Sequence, residues 1–264
     1  MPKSSPDQSP VKSADRVLKL LDALAARGGR PARLHELVEE LDAPKSSVHA
    51  LLRTATLTGW VRTDPTGMLY TLDLHALVVG ASFLDADPYV RLARPVLSEL
   101  RDQLHETVHL ARWDRGNVVY LITQESGRDL RRVNRIGHAL PAYATSLGKA
   151  LLAERATSKE DDAAQAVNDG PLEAWTASTV TDPQVLAAEL TLTRRRGYAL
   201  DNQEVIPGLV CVGLALRYTD PVVDAISCSV PVERMTPEHQ AEIIEALTRV
   251  RDTLEASAPV QGTF

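Results

Sequence analysis

An α+β fold in two domains is predicted by three features of the sequence. Three apolar stripes of helical period run between Val17 and Ala55 and lead into a short hairpin pattern. A run of apolar residues at 74–84 is cut by Asp85, Asp87 and Pro88. Beyond residue 105, runs of period two alternate with further helical segments, as in a domain whose antiparallel sheet carries helices. A chain of 264 residues is long enough for two cores, because single cores stop growing at about 250 residues.

The elements follow in order. Val17, Leu20, Leu21 and Leu24 share one helical stripe, with Ser13 as the expected N-cap and Gly28-Gly29 as the stop. Leu34, Leu37, Val38 and Leu41 repeat the spacing until Asp42-Ala43-Pro44 breaks it. Val48, Leu51, Leu52 and Ala55 give a third stripe, whose opposite face carries Ser46, His49 and Arg53, with Lys45 at the helix start. A short helix, a tight turn and a helix with a polar N-terminal half form a helix-turn-helix, whose second helix enters a major groove. Ser and His bond phosphates or base edges, and Lys45 meets a phosphate. Arg33, Lys45, Ser46, Ser47, His49, Arg53 and Arg62 are the expected DNA-binding residues. Two β-prone runs around Trp60 and Tyr70 flank the turn sequence Asp64-Pro65-Thr66-Gly67, which predicts the hairpin wing. Leu74, Leu77, Val78 and Ala81 then form an exposed stripe suited to a dimer contact.

Charge supports this division. The net charge is −6, yet residues 1–80 hold ten Lys and Arg against nine acids while the rest is acidic, so nucleic acid is expected at the N-terminal part alone. The polar, proline-rich start is neither a signal peptide nor a membrane span. The two cysteines, Cys211 and Cys228, do not suggest a disulfide framework, which fits a reducing cytoplasm.

His105-Glu106-Thr107-Val108-His109 matches the H-E-x-x-H pattern of zinc proteases. Two histidines at that spacing share a metal only on a helix. Thr107 and Val108 are β-branched and lead to a turn at Asp114 and to the β-prone run 118–122, so a helix ends near His105 and a strand starts near Thr107. No metal site or cofactor is expected.

Strands are expected at 107–113, 118–124 and 130–136, then a helix capped by Thr145 or Ser146 and another over Pro183–Arg196, stopped by Gly197. In the run 209–216, Val210, Val212, Leu214 and Leu216 point one way and Cys211, Gly213 and Ala215 the other. The strand 225–230 repeats this, with Ala225, Ser227 and Ser229 on its small face. Aligned, the small faces make either a concavity with a thiol, two hydroxyls and Asp201 at its edge, or a seat for a closely packed helix. In the first case, the amides at the start of the helix near Ser146 and Leu147 favour a small carboxylate. Cys211 has no neighbouring base and no G-x-S-x-G elbow occurs, so binding rather than catalysis is expected and the chain is not an enzyme.

VKSADRVLKLLDAL at 11–24, LDAPKSSVHALL at 41–52, ETVHLARWD at 106–114, YATSLGKALLA at 143–153 and GYALDNQEVIPGLVC at 197–211 resemble the IclR family of bacterial transcriptional regulators. The resemblance implies a flexible tail (1–10), a winged helix-turn-helix domain (11–73), a linker helix (74–88), a GAF-like or profilin-like effector-binding and oligomerisation domain (89–256) and a C-terminal tail (257–264). It implies a ligand-responsive repressor, acting as a homodimer or dimer of dimers on a palindromic operator in double-stranded DNA. Carried onto this chain, the effector site comprises Leu140, Ser146, Leu147, Asp201, Cys211, Ser227 and Ser229. Ala50 stands where many relatives have arginine, and Ser146 where many have alanine.

Overall fold

A computed structural model describes residues 11–128, 136–155 and 171–258. The chain divides into two compact units, Met1–Phe83 and Leu84–Phe264.

In the first unit, helices α1 (Lys12–Ala26), α2 (Leu34–Glu40) and α3 (Lys45–Leu57) enclose a core of Leu20, Leu24, Leu37, Val48 and Leu52. The N-cap of α1 is Val11, without a side-chain cap, so Ser13 lies inside the first turn instead of capping it. Gly28 and Gly29 end α1 at positive φ, 59° and 88°, where a side chain would strain the backbone. The Arg33 backbone N–H donates to the Glu36 carboxylate at 2.6 Å, which satisfies an orphan donor at the start of α2. Strands β1 (Ala32–Arg33), β2 (Val61–Thr63) and β3 (Leu69–Leu72) form a three-stranded sheet in the order β1-β3-β2. The expected turn closes the β2–β3 hairpin, with Asp64 accepting from the amides of Met68 and Leu69. The two-residue β1 is too short for any periodicity to reveal it. Helix α4 (Leu74–Ala86) has no buried residue and exposes Leu74, Leu77, Val78 and Phe83.

The second unit is built on one six-stranded antiparallel sheet. Its strands are β4 (Thr107–Asp114), β5 (Asn117–Gln124), β6 (Ala139–Pro141), β7 (Ala199–Asn202), β8 (Leu209–Leu216) and β9 (Asp224–Pro231), in the order β6-β5-β4-β9-β8-β7. Most of the strand expected at 130–136 lies outside the described residues. One face takes α5 (Pro88–Leu104) and α8 (Pro237–Ser257), which bury Val212, Leu214 and Leu216 with Leu97 and Leu247. Against the other face lie α6 (Ser146–Arg155) and α7 (Pro183–Arg196), over Ala111, Ala215 and Ala225. Helix α8 is not among the elements expected above, although Thr236-Pro237 is a start signal and Ile243, Leu247 and Leu254 keep a helical spacing.

An ion cluster pins the start of α5 to the sheet. Arg112 of β4 grips Asp224 of β9 through Nε and Nη2, at 2.6 and 2.7 Å, and also reaches Asp87, the N-cap of α5. The Tyr218 hydroxyl donates to the same Asp224 at 2.6 Å. Both carboxylates are almost fully buried, where a polar group left without such partners would be costly.

Candidate functional site

Helix α3 separates its residues by side. Val48, Leu52 and Ala55 are buried, while Lys45, Ser46, His49 and Arg53 are exposed and no acid interrupts them. Ser47 differs from this group, being half-buried with its hydroxyl 3.5 Å from the Arg16 guanidinium of α1. Arg62 is exposed on the wing, where its Nε donates to Thr71 across the hairpin at 3.1 Å. Arg33 is exposed at the N-cap of α2.

The register of the second unit aligns the small-residue faces of β8 and β9. Cys211 lies opposite Ser229, Gly213 opposite Ser227 and Ala215 opposite Ala225. Both readings of this face apply, at different residues. A Cβ on Gly213 would fall 2.6 Å from the backbone of Ser146, so Gly213 is the seat of a closely packed helix, α6. Two residues along the strand, Cys211 instead lines a small cavity.

Thr145, Ser146, Asp201, Cys211 and Ser227 give the cavity its polar wall, and Tyr120, Leu140, Val205, Ile206 and Leu209 the rest. Leu140, Ser146, Asp201, Cys211 and Ser227 thus come together as expected. Leu147 and Ser229 do not line it. Leu147 points into the apolar cluster under α6, where it is buried with Leu151 and Ala150, and the Ser229 hydroxyl sits 3.2 Å from the Cys211 sulfur, behind the wall. Thr145 is the N-cap of α6, accepting from the Gly148 amide at 3.0 Å. Five lining residues lie outside the expected set: Thr145, legible only as a cap, and Tyr120, Val205, Ile206 and Leu209, whose side chains carry no local mark of what they face.

Burial pushes the Asp201 carboxyl up to about 7, against the stabilising Glu204 amide that donates to it at 2.7 Å. Burial likewise holds the Cys211 thiol well above its ordinary value, which makes it a polarisable wall atom rather than a nucleophile. The segment 203–208, which supplies Val205 and Ile206, is anchored by Glu204. The Glu204 carboxylate accepts from Lys149 Nζ at 2.5 Å, and its carbonyl accepts from the Thr179 hydroxyl at 2.6 Å. Lys149 is fully buried on α6 and also bonds Glu189 of α7 at 3.1 Å.

The H-E-x-x-H stretch is split as its β-branched residues predict. His105 ends α5 at φ 54°, and β4 begins at Thr107. Glu106 pairs with Arg234 through two bonds, at 2.8 and 2.6 Å, and His109 is buried in the sheet. Among the described residues no group of three His, Cys, Asp or Glu side chains could hold a metal, and no helix is long and apolar enough to cross a membrane.

Two family models match the chain: "IclR helix-turn-helix domain" over residues 13–65 and "Bacterial transcriptional regulator IclR C-terminal" over residues 82–255. The transcriptional repressor IclR of Escherichia coli K12 is 32% identical over 243 residues, covering 90% of this chain and 87% of that protein. The fold is similar to the crystal structure of an IclR transcriptional regulator from Alicyclobacillus acidocaldarius, with a TM-score of 0.83 at 23% identity over 94% of this chain and 99% of that one. It is also similar to an IclR homologue from Microbacterium hydrocarbonoxydans complexed with 4-hydroxybenzoate, with a TM-score of 0.74 at 21% identity over 93% of this chain and all of that one. A helix-turn-helix with a polar recognition face, an effector-type domain with a small polar cavity and these matches together place the chain in the IclR family of bacterial transcriptional regulators, a family of DNA-binding proteins and not of enzymes.

Proposed function

We propose that this regulator is a repressor that holds a palindromic operator as a homodimer or dimer of dimers in the cytoplasm and responds to a small organic acid. The observation that carries the reading is the polar cavity between α6 and the sheet, in a unit separate from the one that presents α3. Lys45, Ser46, Ser47, His49 and Arg53 of α3 meet the major groove, with Arg33 and Arg62 on phosphates beside it. The exposed apolar face of α4 suits the dimer contact that a two-fold operator requires.

Leu140, Ser146, Asp201, Cys211 and Ser227 enclose the effector. The cavity has room for about one water, so a compact metabolite enters only as the walls part. Asp201 argues for an acid in spite of its own charge. Held near 7, its carboxyl is available in the protonated form and donates a hydrogen bond to a bound carboxylate. Two relatives support the reading: the E. coli protein is named a repressor, and the M. hydrocarbonoxydans homologue is complexed with 4-hydroxybenzoate, an organic acid.

Footprinting on the region upstream of its own gene, with and without a panel of small acids, tests this. Protection of two half-sites about 34 Å apart, changed by at least one acid, is expected. A protein that ignores every neighbouring promoter under both conditions sinks the reading.

A further inference from the structure

His109 stands behind the cavity wall. Its ring is fully buried, its Nδ1 lies 3.1 Å from the Thr123 hydroxyl, and its Nε2 has no hydrogen-bond partner among the described residues. Two cavity residues adjoin it. Ser227 is its cross-strand neighbour on β9, and the Tyr120 ring meets it edge-on with centroids 5.1 Å apart. Strand alternation puts His109, Ala111, Tyr120 and Ser227 on the same side of the sheet as the cavity, so His109 shares that face with two of its lining residues. A buried polar atom left unpaired is costly, and such atoms are rare enough to need a reason. Burial holds the imidazole neutral, with its pKa down to about 3.

We propose that His109 is the inner polar contact of the effector pocket, its Nε2 hydrogen-bonding an oxygen of the bound acid once the Tyr120 ring gives way. This rests on the cavity being the effector site, and it adds the residue that decides which acids are kept. An acid with a second oxygen at that depth satisfies Nε2, whereas one ending in a methyl group leaves it unpaired. The pocket therefore prefers oxygenated acids over alkyl or aryl acids of equal length.

The test uses the full chain, melting curves and calorimetric titration with two matched pairs, 3-hydroxypropionate against butyrate and 4-hydroxybenzoate against 4-methylbenzoate. Wild-type protein is expected to bind the oxygenated member of at least one pair about tenfold more tightly, the worth of one hydrogen bond. His109→Leu loses that preference, and His109→Gln keeps part of it. Without ligand, His109→Leu melts at or above the wild-type temperature, because an unpaired polar atom has gone. A fall of several degrees makes His109 a structural residue satisfied by buried water and overturns the proposal. So does a wild-type protein with no preference in either pair, or a preference that survives His109→Leu while Cys211→Leu abolishes binding. If Cys211→Leu also leaves binding intact, the cavity is not the effector site, and the reading on which the proposal rests falls with it.

Discussion

Asp201 shows how one buried side chain can set a pH dependence. Its carboxyl titrates near 3.8 in an unfolded chain and near 7 in the fold, where burial disfavours the charge. Between those values the folded state holds a proton that the unfolded state releases, so this residue's contribution to stability falls as pH rises from about 4 to about 7 and is level above. Asp201→Asn removes the effect and can still accept from the Glu204 amide. The melting-temperature difference, variant minus wild type, is expected to grow across that window. His109 pulls the other way, since its depressed pKa makes stability fall as pH drops below 6.5, but it is common to both proteins and cancels. A flat difference curve removes the assignment. The neighbouring Lys149 is legible only in hindsight. A lysine at a helix face reads as solvated, and nothing local shows that Glu189 and Glu204, 40 and 55 residues away, turn towards it.

Elements are legible in the sequence where a short-range rule applies. Helix α7 matches the expected Pro183–Arg196, because Asp182 caps it and Gly197, at φ 81°, ends it. Helix α3 keeps its polar face outward as its period requires, and that face carries a distinct expectation for each residue. On operator DNA, Lys45→Ala is expected to weaken binding uniformly across sequences and to lower the salt slope by about 1, the signature of a lost phosphate contact. His49→Ala is expected to cost about 1–3 kcal/mol and to relax base preference at one position in each half-site. Both are read by gel shift across a salt series, and wild-type binding by both variants removes α3 from the groove. The zinc-like stretch is the converse lesson. Its five letters fit a helix motif, but two β-branched residues and the strand pairing of Thr107 with Ser229 decide the conformation.

At the scale of the whole molecule, each unit owns its core. Leu20, Leu37 and Leu52 are buried in the first, while Leu97, Leu214 and Leu247 are buried in the second. Residues 84–258 expressed alone are therefore expected to fold cooperatively and to keep any effector response in a thermal shift, while losing DNA binding entirely. An aggregated or molten fragment shows that the second core is incomplete without the first unit. Local sequence signals already specify the two-domain plan, the polar face of α3, the end of α5 at His105 and the small-residue stripes of β8 and β9. These depend on interactions within a few residues along the chain, where period, caps and branching act. Long-range packing alone sets the rest: Gly213 seats α6 while Cys211 lines the cavity, Leu147 and Ser229 stay out of it, and Tyr120 and Ile206 close it. A cavity is the space left where separate elements fail to meet, and its walls here come from residues 120 to 227, brought together by strand order rather than by neighbourhood in the chain.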